Sequence, residues 1–257
     1  MLRGTKHLYW RIRRYILRNL IPEIVWPKYV DLDGSAIEVR GMPFSFGVKL
    51  SLTRGTYEKH ERDLLTQVKL DGKTVLEMGA SLAVLTRIVA DRAGPKGGVV
   101  AIEASPAIAK IAEQVTQNYP NIKILKGIAF PTFQVVRKER FESFQEDGGS
   151  LGGKVIFSDR RGSADSLQHN VYDLKTIFSV MQEQPTVLIC DIEGAERVLL
   201  DARPRIPSCI DTILIELHPN IYGSGTAARI LEVLRNEGLK IVDQKGTSFL
   251  MTRAASS

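Results

Sequence analysis

Five ionisable residues stand where short apolar runs stop. Glu77 follows Thr74-Val75-Leu76, Glu103 follows Gly98-Val99-Val100-Ala101-Ile102, and Asp191 follows Thr186-Val187-Leu188-Ile189-Cys190. Glu216 follows Thr212-Ile213-Leu214-Ile215, with His218 two residues further on. If those runs are parallel strands of one sheet, their ends converge on one edge, where open α/β sheets hold ligands. A carboxylate there can accept hydrogen bonds from hydroxyl groups, attract an ammonium group or take up a proton. An imidazole, with an ordinary pKa of about 6.5, can also take up a proton near neutrality.

The turn after the first acid narrows the ligand. The strand ending at Glu77, the small-residue turn Gly79-Ala80-Ser81-Leu82-Ala83, a helix over Leu82–Ala93 and the strand ending at Glu103 form a nucleoside-binding βαβ unit. A dinucleotide site needs G-x-G-x-x-G, because the pyrophosphate touches the backbone. Here the turn has one glycine, and Glu77 would repel phosphate. Glu77 instead attracts an ammonium group, and Glu103 can accept hydrogen bonds from both ribose hydroxyls. An adenosyl ribose with a cationic amino acid end and no phosphate suits both acids, and S-adenosylmethionine is such a ligand. The expected cofactor contacts are Glu77, Gly79, Ala80, Ser81, Glu103 and Ala104. The turn Gly127-Ile128 is expected to border the adenine, and Tyr57 and Glu58 to close over the cofactor.

The elements that must position these residues follow from periodicity. Leu8, Tyr9, Ile12, Tyr15, Ile16 and Leu20 recur at helical spacing among arginines, so residues 1–30 read as a basic amphipathic helical arm stopped near Pro22. Ile37, Val39, Met42, Phe44, Phe46, Val48 and Leu50 alternate, which predicts a hairpin turning at Gly41-Met42-Pro43. With the polar helix Lys59–Lys69, that hairpin makes residues 31–70 a lead-in to the core. The catalytic domain spans 71–257. Ser105-Pro106 caps a helix through Asn118, and Ile122–Leu125 is a third strand. Residues at about 130–165 break the rhythm and read as an insertion next to the active site, with antiparallel strands such as Gln134–Arg137 and Lys154–Phe157. Helices are expected at Tyr172–Gln182, from Glu193 onward, and at Thr226–Glu237. Leu239–Val242 and Thr247–Met251 close the chain as a hairpin, so the last strand runs antiparallel to its neighbour. The expected fold is a Rossmann-like, class I methyltransferase α/β fold: a seven-stranded, mostly parallel sheet with an antiparallel last strand and helices on both faces.

Composition bounds the setting. The net charge is +6, and residues 1–30 hold seven basic groups against Glu23 alone, so the remaining 227 residues are neutral. A large nucleic-acid face needs an extended basic surface, so no nucleic acid is expected at the body. No run approaches the roughly 18 apolar residues of a membrane span, and arginines near the N-terminus argue against a secretory signal. The two cysteines, Cys190 and Cys209, have no partner at metal-ligand spacing and read as buried thiols in a reducing compartment. The expected location is cytoplasmic. The basic arm is read either as packed on its own domain or a second subunit, or as a contact with an anionic membrane surface or partner.

Taken together, Gly55-Thr56-Tyr57-Glu58, Leu76-Glu77-Met78-Gly79-Ala80, Ala101-Ile102-Glu103-Ala104-Ser105-Pro106, Cys190-Asp191-Ile192-Glu193-Gly194-Ala195-Glu196 and Ile215-Glu216-Leu217-His218 resemble the FkbM family of S-adenosylmethionine-dependent methyltransferases. The resemblance covers residues 50–245. It implies O-methylation of a hydroxyl on a sugar, a polyketide or another secondary metabolite. The chain departs from the family pattern at Glu77, usually aspartate, and at Ser81 and Ala83, usually asparagine and glycine.

Methyl transfer is an in-line displacement, so the protein must align the acceptor and remove its proton. Asp191 is expected to position the acceptor or act as its base, with His218 as the alternative base. Glu193 is a further catalytic candidate or a helix cap, and Glu196 a support for the loop. Asp191, Glu216 and His218 could together hold a divalent cation, but their spacing is not diagnostic and no metal is expected. Two other readings use the same platform: a methyltransferase acting on RNA or protein, and a non-catalytic module recruited by the basic arm.

Overall fold

The computed structural model describes residues 22–132, 141–146, 153–157, 170–200 and 206–253. The chain divides into two compact units, Met1–Lys59 and His60–Ser257. The expected amphipathic helix falls on residues 1–21, outside the described ones.

In the first unit, β1 (Tyr29–Leu32) and β2 (Ser35–Glu38) pair antiparallel. Asp33 and Gly34 join them, both with positive φ (54° and 89°), as a type I′ turn requires. Phe46–Thr53 is an α-helix. This corrects the hairpin expected across 36–52. Ser45 caps the helix by accepting the Val48 N–H, and Val48 and Leu52, four residues apart, are its buried apolar side chains. An alternation that includes i and i+4 pairs fits either period, and here the cap decided it. Lys49 is buried and reaches Glu23 at 2.6 Å. That hydrogen bond, with one from the Gly41 N–H, holds the Glu23 carboxyl below its ordinary pKa.

In the second unit the strands are β3 (Thr74–Met78), β4 (Gly98–Glu103), β5 (Ile122–Lys126), β6 (Ile128–Ala129), β7 (Phe141–Glu146), β8 (Gly153–Phe157), β9 (Val171–Tyr172), β10 (Val187–Cys190), β11 (Thr212–Glu216), β12 (Leu239–Lys245) and β13 (Ser248–Arg253). Seven form one sheet in the order β12-β13-β11-β10-β3-β4-β5. From β11 to β5 every pair is parallel. β13 enters between β11 and β12 and runs antiparallel to both. This is the Rossmann-like methyltransferase fold, with the antiparallel end read from the closing hairpin.

The sheet is covered on both faces. β10 is at most 3% exposed at each of its four residues, as a central parallel strand must be. Leu76, Met78, Ile102, Leu188, Cys190 and Ile213 share one core cluster with Leu174 and Ile177 of helix Leu174–Ser179 and Ile230 and Leu234 of helix Ser224–Asn236. Their alternate neighbours Val75, Val99, Ala101, Val187 and Ile189 are buried outside that cluster. Successive strand residues point to opposite faces, so these line the other face, and helix Val84–Ala93 contacts β3, β4 and β5.

The insertion contains β7 paired antiparallel with β8. Lys154–Phe157 is therefore a strand as expected. Gln134–Arg137 lies outside the described residues, and the partner of β8 is Phe141–Glu146. The segment from Glu193 gives a 3-10 helix, Ala195–Leu200, and β9 precedes the shorter helix Leu174–Ser179.

Candidate active site

Glu77, Glu103, Asp191 and Glu216 all lie at the C-terminal edge of adjacent parallel strands, as their spacing required. The turn after β3 is fitted to its neighbours by backbone contact. Gly79 has φ 91°, and a Cβ there would come 1.7 Å from the Asp191 carbonyl oxygen. Only glycine permits that approach. The Gly79 and Ala80 N–H groups both donate to the Ile102 carbonyl, each at 2.9 Å. Ser81 (φ 47°) and Ala83 (φ 55°) are left-handed although they carry Cβ atoms, at about 1–2 kcal/mol each. Strain of this kind persists where surrounding contacts over-determine the backbone.

Glu103 supplies that determination. It is buried, one oxygen accepts the Ser81 N–H at 2.8 Å, and the other accepts the Ser105 N–H at 2.8 Å. Ser105 in turn caps helix Pro106–Thr116 through the Ile108 N–H. Glu77 is only 2% exposed, Ala80 is buried, and Ala104 is half-buried. The Gly127 N–H donates to the Glu103 carbonyl at 2.8 Å, and the Ile128 N–H to the Asn170 carbonyl at 2.8 Å. A Cβ on Gly127 would lie 2.4 Å from the Asn170 oxygen. The structure thus gathers Glu77, Gly79, Ala80, Ser81, Glu103, Ala104, Gly127 and Ile128 around three adjoining strand ends. Tyr57 and Glu58 belong to the first unit, where Glu58 has φ 46°.

The second half of the edge is built from side chains. The Asp191 N–H donates to the Met78 carbonyl at 2.9 Å, continuing the β10–β3 ladder by one residue. The chain then turns through Glu193 (φ 48°) and Gly194 (φ 101°). Glu196, fully buried, organises this loop by accepting the Ile192 N–H at 3.1 Å and the Gly194 N–H at 3.0 Å. Its Oε1 also lies 3.1 Å from His218 Nδ1. The other ring nitrogen, Nε2, faces Asp191 Oδ1 and Glu193 Oε2, each at 3.4 Å. The His218 N–H donates to the Tyr222 hydroxyl at 2.7 Å, and Thr247 donates to Glu216 Oε1 at 2.9 Å.

Charge follows from this packing. Burial works against a charged His218, but Glu196, Asp191 and Glu193 outweigh it and push its pKa up to about 9. Burial raises Asp191 well above the usual carboxylate range, and the Glu216 charge adds to that. Burial also raises Glu216, with Glu61 as the next cause. Asp191 Oδ1 is sealed from solvent and makes no hydrogen bond among the described residues. Spacing alone could not show Glu196 as the partner of His218, because the two are 22 residues apart. The signal was present in Glu196 as the last acid of the Asp191–Glu196 string.

No protein-family model matches this chain, and no curated protein does. Solved structures do resemble it. Aeropyrum pernix fibrillarin, in complex with natively bound S-adenosyl-L-methionine, is 16% identical with a TM-score of 0.44, over 72% of this chain and 67% of that one. The Methanococcus jannaschii fibrillarin pre-rRNA processing protein is 18% identical with a TM-score of 0.42, over 73% and 69%. Precorrin-6y C5,15-methyltransferase from Geobacter metallireducens is 12% identical with a TM-score of 0.44, over 76% and 87%. All three identities lie below 20% and all three TM-scores below 0.5.

Proposed function

We propose that this chain is an S-adenosylmethionine-dependent O-methyltransferase acting on a hydroxyl of a small molecule or glycan. One observation carries the reading: the glycine turn and the acids Glu77 and Glu103 share one strand-end edge, and the Asp191 backbone packs on Gly79. S-adenosylmethionine, when bound, supplies an electrophilic methyl group on a sulfonium. The site suits it, because Glu103 stands at the second strand end, where an acid can accept from ribose hydroxyls, and the buried Glu77 favours an ammonium over a phosphate. Gly79 and Ala80 give the close backbone approach, Ser81 and Ala104 flank it, and Gly127-Ile128 borders the base. Asp191 aligns the acceptor hydroxyl and takes its proton, with Glu193 beside it and His218 balancing the charge of both.

The acceptor class rests on charge. The partly exposed Asp191, Glu193 and Glu216 stand at this edge, and a phosphate backbone brought there would meet them. Among the described residues no helix is long and apolar enough to cross a membrane. A cytoplasmic setting fits the two free cysteines. Contact of residues 1–30 with an anionic surface or partner belongs to the same proposal.

The test is a tritiated-methyl transfer assay, scored against candidate glycans, hydroxylated metabolites, protein and bulk RNA. Label on a glycan or metabolite is the expected result. Label on RNA or protein instead would move the enzyme to that acceptor class. Loss of partner or membrane association on deleting residues 1–30, from a protein that transfers no methyl group, would favour the recruitment module.

A further inference from the structure

Among the described residues, six large apolar side chains stand exposed, and three belong to one short stretch of the first unit: Ile24 (74%), Val25 (58%) and Tyr29 (51%). Val180, Ile221 and Val242 are spread along the second unit, and apolar surface residues scattered singly need no explanation. Five peptide steps span at most about 18 Å, so Ile24, Val25 and Tyr29 lie within one small area on any path of the chain.

Their exposure is built in. Ile24 and Val25 sit in the 3-10 turn Glu23–Val25, and the residues on either side of the pair are tied down. The Lys49 ammonium donates to both Glu23 oxygens, at 2.6 and 2.7 Å, and the Gly41 N–H donates to the same carboxylate at 3.0 Å. Trp26 is buried, its ring meets Phe46 edge-on at 5.4 Å, and its carbonyl accepts Arg40 Nε at 2.7 Å. The Lys28 carbonyl accepts the Val39 N–H at 2.9 Å, just before the strand that carries Tyr29. An apolar pair on a loose tail can fold back onto its own domain. This pair cannot do so without breaking those contacts, so it stays available to a surface from outside.

A surface that takes the pair must also take cations. Residues 1–30 hold seven basic groups, and Glu23, their one acid, is spent on Lys49. The Lys28 ammonium lies 5.1 Å from the centre of the Tyr29 ring, so charge and apolar surface meet at one point. The charge of residues 1–21 is a property of the sequence and requires no particular conformation. An RNA would neutralise the cations and leave Ile24 and Val25 in water. An apolar protein groove would cover Ile24 and Val25 and strip water from the cations. An anionic bilayer offers charged headgroups with the acyl boundary just beneath them, and a tyrosine sits well at the level between.

We propose that Ile24, Val25 and Tyr29, together with the basic charge of residues 1–30, dock this chain on anionic lipid bilayers. A lipid surface thereby fills the place left open above for the contact of residues 1–30. Docking rests on the first unit and does not depend on methyl transfer.

The test is co-sedimentation of the full chain with vesicles of phosphatidylcholine alone, or of phosphatidylcholine and phosphatidylglycerol in equal parts. The wild type is expected to bind the mixed vesicles at least ~10-fold more tightly than the neutral ones. It should release them when salt rises from about 0.1 M to about 1 M. The double variant Ile24→Ser, Val25→Ser, checked for folding by circular dichroism, should bind the mixed vesicles at least ~10-fold more weakly. Tyr29→Ser should lose binding in the same direction and keeps the test decisive should the double variant misfold. Val242→Ser, at an exposed apolar residue of the second unit, should bind as the wild type does. A wild type that stays in solution with both vesicles, undiminished binding by the folded variants of the first unit, or an equal loss in Val242→Ser would overturn docking at this surface. Absence of vesicle binding, with a wild-type dimer that the double variant dissociates, would give the surface to a second copy of the chain instead. Calorimetric titration of S-adenosylmethionine into the same preparations scores the methyltransferase reading separately. Vesicle binding without cofactor binding would remove that reading and leave the docking surface, and cofactor binding without vesicle binding would do the reverse.

Discussion

The two halves of the strand-end edge are held together by opposite means. On the β3–β4 side the backbone does the work: Gly79 packs on a carbonyl, Ser81 and Ala83 sit in left-handed conformations, and Glu103 ties two backbone N–H groups. On the β10–β11 side the contacts are between charges, with His218 among Asp191, Glu193 and Glu196. A backbone-built turn presents one shape, as an invariant cofactor requires. A cluster of titratable side chains presents a field, which can align an acceptor and handle a proton. Substitutions should therefore fail by shape on the first side and by charge on the second.

Gly79→Ala tests shape most severely. A methyl 1.7 Å from the Asp191 oxygen forces β3 and β10 apart, and a loss of at least ~5 kcal/mol in chemical denaturation is expected. A variant of near wild-type stability would mean that the turn is not packed this way. Glu196→Ala is the counterpart on the charged side. It strands the Ile192 and Gly194 N–H groups and removes the partner of His218, for about 3–5 kcal/mol. A cost near zero would show that the buried carboxylate is not the hub of that loop.

Smaller effects sharpen the contrast. Ala83 is buried with φ 55°, where a β-branched side chain is a conformational outlier. Ala83→Val should cost about 2 kcal/mol, and Ala83→Gly should stay within about 0.5 kcal/mol, because relief of φ strain offsets lost burial and chain entropy. Equal costs for both would remove the strain argument. Glu193→Gln, at a half-exposed side chain, should shift stability by less than about 0.5 kcal/mol. A large shift would place Glu193 in the structural network with Glu196.

The sheet was legible because its strands are short apolar runs bounded by acids and turns, and because a terminal hairpin can close only antiparallel. Residues 44–52 were not, since Val48 and Leu52 satisfy a helical period while their neighbours still alternate; Asp33-Gly34 and Ser45 carried the deciding signals. On the candidate site, the strand-end rule located the acids. The left-handed φ at Ser81 and Ala83 marks positions where asparagine or glycine would sit with less strain than serine or alanine. The His218–Glu196 pair could not be read in advance, because it depends on the loop after β10 folding back beneath the end of β11.

The most direct test of the central claim is calorimetric titration of S-adenosylmethionine and S-adenosylhomocysteine into the wild type and Glu103→Gln. The account predicts saturable binding of both ligands to the wild type in the micromolar range and a loss of at least ~10-fold in the variant, equivalent to about 1.4 kcal/mol. No binding at millimolar ligand, or equal affinity in the two proteins, would contradict it.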